Sequence, residues 1–243
     1  MSSKSPENDQ NRYRRQLGVL EELGQKTLED SSVAVVGLGG LGSPAATYLA
    51  LAGLGKLVLA DHDKVELSNL NRQFLHWNED LNRRKSESAR EKLKKLNPEI
   101  AVETFEGKLT SDNMENLPAT DLIVGSVDNF ETRYLLNELA VKREIPYVHG
   151  AVEGFSGQLT TIVPDESPCL RCIFPESPPE KTGMPILGTT AGLIGTLMAN
   201  ETIKYLSGRG SLISGELLLA DLTSNEFDLV KYQKNPDCPI CGP

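Results

Sequence analysis

The residues best equipped for chemistry fall in two groups. The first runs from Val33 to Lys85. An apolar, β-branched run, VAVVG, leads into Gly37-Leu38-Gly39-Gly40-Leu41-Gly42, and an apolar helical segment follows. That order is the strand, G-x-G-x-x-G loop and helix of a nucleotide-binding βαβ unit. Gly37, Gly39, Gly40 and Gly42 permit a tight turn and let backbone N–H groups approach a phosphate at a helix N-terminus. A second strand-like run, KLVLA, ends at Asp61, with Asp63 just beyond; Asn69, Arg72, Gln73 and Lys85 come further on. Two carboxylates for a ribose and a metal, with two cations for phosphates, point to a triphosphate rather than a hydride carrier. The glycine loop alone would serve NAD or FAD as well. Asp61 lies 24 residues after Gly37, a spacing that a dinucleotide site tolerates. Lys85, in Arg83-Arg84-Lys85, has its own plain alternative as part of a solvated helix face.

The second group is the cysteines. All four lie in C-x-x-C pairs, Cys169–Cys172 and Cys238–Cys241, with 65 residues between the pairs. Two such knuckles supply the four soft ligands of a tetrahedral Zn²⁺ site, and a closed site of that kind is structural. Zinc there ties the C-terminal tail to the chain just after residue 163; redox reactivity is the alternative. His62, His76 and His149 are scattered without ligand spacing and read as ordinary structural histidines.

Alternating elements position these residues. A polar helix over 10–29 precedes strand 33–37, helix 41–53 and strand 56–60. A loop with a short helix covers 64–80, and a charged helix covers 84–96. Strands at 100–105, 121–125 and 146–150 then alternate with a short helix near 111–117 and a helix over 130–143. This order implies a Rossmann-like α/β fold, a doubly wound, mostly parallel sheet with helices on both faces. Asp128-Asn129 fall at a strand's C-terminal end, where such sheets bind ligands, and also where a cap for helix 130–143 belongs. The pattern then changes. Residues 153–163 read as antiparallel strand and 173–187 as a mobile loop. Helix 189–206 offers Leu193, Ile194, Leu197, Met198 and Ile203 as an apolar stripe. Residues 215–222 and 225–232 read as a hairpin, which makes the C-terminal part an antiparallel extension of one domain.

Bulk properties narrow the function. The net charge, 25 − 34 = −9, argues against nucleic acid as the main partner. No apolar run approaches the roughly 20 residues needed to cross a bilayer. MSSKSPENDQ lacks the apolar core of a signal peptide, so a cytoplasmic protein with a disordered first ten residues is expected.

The ordered set of motifs resembles the adenylating E1-like ThiF/MoeB/HesA family, which activates ubiquitin-like sulfur carriers. The resemblance runs through Arg12-Tyr13-Arg14-Arg15-Gln16, the glycine loop, Asp61-His62-Asp63 and Leu67-Ser68-Asn69-Leu70-Asn71-Arg72-Gln73. It continues through Lys85-Ser86-Glu87-Ser88-Ala89-Arg90, Leu96-Asn97-Pro98, Gly125-Ser126-Val127-Asp128-Asn129 and both cysteine pairs. The resemblance implies ATP as co-substrate, with Gly39 and Gly42 under its phosphates and Asp61 on the ribose. It implies Asn69, Arg72 and Lys85 on the phosphates and Asp128 on Mg²⁺. Arg15 matches an arginine that reaches the triphosphate from a second subunit, so a homodimer with composite sites is implied. The chain then divides into a helical arm (1–30) and one adenylation domain (31–243). In that domain 31–150 binds nucleotide and 151–243 binds the carrier and zinc and forms the dimer. The implied partner is a sulfur carrier ending in Gly-Gly, whose carboxylate attacks the α-phosphorus of ATP. That nucleophile is ionised at pH 7, so no general base is needed.

One departure stands out. Many relatives carry a cysteine, implicated in thioester or persulfide chemistry, in the loop between the first C-x-x-C pair and the following helix. Here Ile173–Pro185 has none. With zinc on the other four, adenylation is supported and a covalent thioester is not. No rhodanese segment follows Pro243, so the sulfur source is expected to be a separate sulfurtransferase or free sulfide. Two other readings stay open. One is adenylation of a different carboxylate or a tRNA-bound substrate. The other is a non-catalytic scaffold that binds nucleotide and a ubiquitin-like protein.

Overall fold

A computed structural model describes residues 6–178 and 183–242, with side chains from residue 12 onward. Helix α1 (Pro6–Asp30) opens the chain and is interrupted at Glu21, which has φ 60° and ψ 172°. The βαβ unit follows as β1 (Ser32–Val36), α2 (Gly42–Leu51) and β2 (Lys56–Ala60). Then come α3 (Lys85–Leu96), β3 (Ala101–Phe105), β4 (Leu122–Gly125), α4 (Phe130–Lys142) and β5 (Tyr147–Glu153). The C-terminal part adds β6 (Ser156–Ile162), the single turn α5 (Leu170–Ile173), the long α6 (Gly188–Ser207) and the hairpin β7 (Glu216–Asp221) and β8 (Glu226–Lys231).

One eight-stranded sheet joins them in the order β3-β2-β1-β4-β5-β6-β7-β8. Strands β3 to β5 are parallel, and β5 to β8 are antiparallel. Alternation along the central strands explains the layers. Val33, Val35, Leu57, Leu59, Leu122 and Val124 face a core shared with α2, α3 and α6. Ala34, Val36, Val58, Ala60 and Ile123 face a second core closed by α4. Strands covered on both faces are apolar along their buried length, as β1 is from Val33, β2 from Leu57 and β4 throughout. The order reverses between β1 and β4, which opens a crevice at their C-terminal ends.

The fold agrees with the expected α/β class and its antiparallel extension. Two details differ. Helix α1 includes Pro6–Gln10, expected to be disordered; a proline suits the first turn of a helix. Residues 1–5 lie outside the described residues. Nothing in the sequence marks the turn α5, because four residues that include Cys172 are too few to show periodicity. Of the segment 173–187, expected to be mobile, residues 179–182 lie outside the described residues. At its far end the Gly154 N–H donates to the Pro185 carbonyl at 2.7 Å. Among the described residues no helix is long and apolar enough to cross a membrane.

Candidate active site

The glycine loop bends from β1 into α2 in a small space. Gly37 has φ +89°, and a Cβ there would lie 2.6 Å from the Ser126 carbonyl oxygen. A Cβ on Gly42 would lie 1.9 Å from the Gly37 carbonyl oxygen, so no side chain fits at the turn into α2. Asp61, at the end of β2, fixes the loop from below. Its Oδ2 accepts from the Leu38 N–H at 2.7 Å and its Oδ1 from the Asp63 N–H at 2.8 Å. Burial pushes the Asp61 carboxyl up, and the nearby Lys85 opposes that shift.

A cleft opens over this loop at the β1–β4 switch. Gly37, Gly39, Gly40, Asp61, Asp63, Arg72, Gln73, Lys85, Asp128 and Asn129 all line it. Lys85 begins α3, is 5% exposed and donates from Nζ to Asp63 Oδ2 at 3.0 Å. A buried cation at a helix N-terminus opposes the helix dipole, which a bound anion would relieve. Gln73 Oε1 is buried in the cleft without a hydrogen-bond partner. An unpartnered acceptor calls for a hydroxyl or N–H donor on a ligand, while the nearby cations and loop N–H groups suit its phosphates. Asn129 and Asp128 divide two tasks. The Asn129 side chain accepts from the Thr132 N–H at 2.9 Å and caps α4, while Asp128 is exposed at the cleft.

Three expected residues lie elsewhere. Gly42 packs against Gly37 behind the cleft wall. Asn69 is 8% exposed and its Oδ1 accepts from the Glu66 N–H at 3.1 Å, which fixes the turn that carries Arg72 and Gln73. Arg15 is exposed on α1 and does not line the cleft of its own chain.

The structure adds residues that the sequence did not mark. His76 Nε2 lies 3.0 Å from the Leu38 carbonyl and Nδ1 lies 2.9 Å from Ser88 Oγ. A carbonyl only accepts, so Nε2 carries the proton and Nδ1 accepts from the serine. Lys92 Nζ donates to Ser88 Oγ at 3.0 Å and pairs with Asp80, which also accepts from Arg83 at 2.8 Å. Burial pushes His76 down to about 4, so it is neutral at pH 7. This chain of bonds anchors the glycine loop to α3. Isolated polar residues give no sequence signal for such a network. Arg133 and Lys108 also reach the cleft.

The two cysteine pairs meet although far apart in sequence. Cys169 Sγ lies 3.6 Å from Cys238 Sγ, Cys172 Sγ lies 3.4 Å from Cys241 Sγ, and all four sulfurs lie within 4.8 Å of one another. A tetrahedral ion with roughly 2.3 Å metal–sulfur bonds sets its sulfurs nearly 4 Å apart, so the donor set fits. The Asn235 N–H points at Cys172 Sγ at 3.4 Å, an outer contact suited to a thiolate.

Beyond the cleft a groove of about 860 Å³ runs between β5, β6 and the β7–β8 hairpin. Asp128, Asn129, Arg133, Val152 and Met184 belong to both spaces, so the groove opens directly into the cleft.

Comparison with known proteins agrees with this geometry. The ThiF family model matches residues 13–240. The SAMP-activating enzyme E1 of Haloferax volcanii is 44% identical over 240 residues, covering 95% of this chain and 88% of that protein. The sulfur carrier protein ThiS adenylyltransferase of Escherichia coli is 40% identical over 239 residues, covering 95% and 94%. The adenylyltransferase and sulfurtransferase MOCS3 of Aedes aegypti is 43% identical over 241 residues, but the match covers only 55% of its length. Among solved structures, a crystal structure of E. coli MccB with MccA-N7isoASN superposes with a TM-score of 0.89 at 22% identity. That match covers 100% of this chain and 76% of MccB, and it shows the shared fold. The chain therefore belongs to the ThiF family, the family of E1-like adenylyltransferases.

Proposed function

We propose that this protein adenylates the C-terminal glycine carboxylate of a ubiquitin-like sulfur carrier. A carboxylate oxygen attacks the α-phosphorus of ATP, the bond from that phosphorus to the β-phosphate oxygen breaks, and acyl-adenylate and pyrophosphate result. The observation that carries this reading is the meeting of two spaces at one point. A cleft with a glycine loop, Asp61, Arg72 and Lys85 suits the nucleotide, and a groove of about 860 Å³, which we assign to the carrier tail, shares residues with it. The chain need not generate a nucleophile. It must bring two anions together and offset the charge that builds on phosphate, which fixed cations do best in a site shielded from water.

Asp61 would hold the ribose. Arg72, Gln73, Lys85 and the loop N–H groups of Gly39 and Gly40 would hold phosphates. Asp128, exposed at the cleft, would hold Mg²⁺, which supplies charge neutralisation on the triphosphate. The four cysteines would hold Zn²⁺ as a clamp between α5 and the tail, with no ligand position left for chemistry. Edge strand β8 is exposed along its length and presents Phe227 and Leu229, a surface suited to a folded carrier. Arg15 shares a face of α1 with Val19, which is 72% exposed, and Leu23, beyond the break at Glu21, is 74% exposed. An apolar surface around Arg15 supports a homodimer in which Arg15 completes the partner's cleft.

Pyrophosphate exchange into ATP tests the reading. It should require Mg²⁺ and a carrier ending in Gly-Gly. Exchange that is indifferent to the carrier would refute it.

A further inference from the structure

Arg133 lies on α4, one turn past its cap, and is only 6% exposed. Its Nε and Nη2 both donate to the Val127 carbonyl, at 3.2 and 3.1 Å, and the guanidinium lies over the Phe130 ring at 4.7 Å. Among the described residues no carboxylate forms an ion pair with it, and no hydrogen bond is made by Nη1. A buried guanidinium is ordinarily paired with an anion, because the water stripped from it must be replaced. Here, among the described residues, a carbonyl, an aromatic face and the through-space attraction of Asp128 compensate, with no carboxylate in direct contact.

The surroundings indicate which anion is missing. Arg133 stands at the junction of cleft and groove. Arg72 and Lys85 line the cleft alone. Among the described residues lining the groove, Arg133 is the one cation, whereas Asp128, Glu153, Asp221, Glu226 and Asp228 are all acids. A peptide tail that enters along these acids carries its terminal carboxylate past like charges until it meets Arg133 at the inner end. The phosphates have other cations on the far side.

We propose that Arg133 receives the terminal carboxylate of the substrate tail and holds it for attack, which makes it a catalytic residue of the adenylation proposed above and rests on that reading. One carboxylate oxygen pairs with the guanidinium and the other remains for the phosphorus. Once the acyl–phosphate bond forms, the carboxyl group is no longer an anion and the contact weakens. The contribution of Arg133 therefore falls on binding of the carrier rather than on ATP.

The test measures binding, without ATP, of a folded ubiquitin-like carrier ending in Gly-Gly, prepared as the free acid and as its C-terminal amide. The wild-type protein should bind the acid roughly 10-fold or more tighter than the amide, the size of a charge-assisted pair. Arg133→Gln should bring the ratio near one, and Arg133→Lys, which keeps the charge, should restore part of it. The thermal shift produced by ATP with Mg²⁺ should be the same in all three proteins. Should the glutamine variant fail to fold, the wild-type and lysine ratios still decide. A wild-type protein that ignores the amide, or variants that lose ATP and carrier affinity together, would overturn the proposal. The second outcome would mean that Arg133 only props the Val127–Asp128 segment. A wild-type protein that binds neither form would instead overturn the carrier reading, and the proposal with it.

Discussion

Replacing Lys85 with methionine should separate activity from stability. The side chain is 7% exposed and its partner Asp63 is 54% exposed, so the pair is open to water on one side. Ion pairs of that kind contribute roughly 0–1 kcal/mol. Methionine nearly matches the lysine stem in volume, and swaps that conserve volume cost less than about 1.5 kcal/mol. Removing the cation also removes the desolvation cost of Lys85 itself, although Asp61, already pushed up by burial, loses the charge that opposes the shift. The net change in unfolding free energy should stay within about 1 kcal/mol, a melting shift of roughly 2–4 °C for a domain of this size. The transition state is affected far more. A unit charge about 4 Å from growing phosphate charge, at an effective dielectric near 20, is worth about 4 kcal/mol. Loss of a single positioned donor or cation commonly costs about 2.7–4 kcal/mol, or 10²–10³ in rate. Urea unfolding and initial rates of pyrophosphate exchange measure the two quantities on one preparation. Exchange within about fivefold of wild type would show that Lys85 does not serve the transition state. A collapse in stability would show that its charge holds the fold rather than a phosphate.

Acid should destabilise the protein partly through His76. Its folded value, about 4, lies below the ordinary 6.5, so the unfolded chain binds the extra proton first. The stability that depends on neutral His76 is fully present above pH 6.5 and is lost as pH falls towards 4, up to about 3 kcal/mol. His76→Gln should flatten unfolding free energy against pH in that window; an unchanged slope would refute the assignment. Buried His149, also held well below its usual range, leaves a residual slope in both proteins. Cys238→Ser should release one zinc per chain and lower the melting temperature, because metal binding is coupled to folding; metal analysis finding no zinc in protein purified without chelators would refute the site. Arg15→Ala should reduce exchange by roughly 10²-fold while leaving carrier affinity nearly unchanged. Mixed with inactive Asp128→Ala protomers it should recover activity, since one site of each mixed dimer then has every wild-type group. If subunits exchange and activity stays at background, Arg15 does not act across an interface.

Periodicity made most of the sheet legible. Strand β2 occupies the expected 56–60, and β1 ends one residue early because Gly37, with its positive φ, turns out of the ladder. The cleft was legible because its main residues sit on motif positions at strand ends, where the fold rule puts ligands. What stayed hidden depends on contacts between distant residues. Asn97 belongs to a recognised motif, yet its Nδ2 serves structure, donating to Tyr13 Oη at 2.8 Å and to the Ala50 carbonyl at 2.7 Å. The sequence marks His76 as structural, but nothing in its neighbours reveals that it anchors the glycine loop. Arg133 looks like any arginine on a mixed helix until burial and the missing counter-ion become visible. Leu193 is half-buried while Ile194 and Met198 are fully enclosed in the core shared by α2, α3 and α6.

The most direct test of the central claim is the mass of the carrier itself. Incubation of the protein with ATP, Mg²⁺, pyrophosphatase and a Gly-Gly carrier should yield a carrier heavier by one adenylate, discharged by hydroxylamine. A carrier without its last glycine should give none, since the carboxylate then stops one residue short of its attack position. Equal adenylation of the truncated carrier, or no adenylate on the intact one despite bound ATP and carrier, would contradict the account.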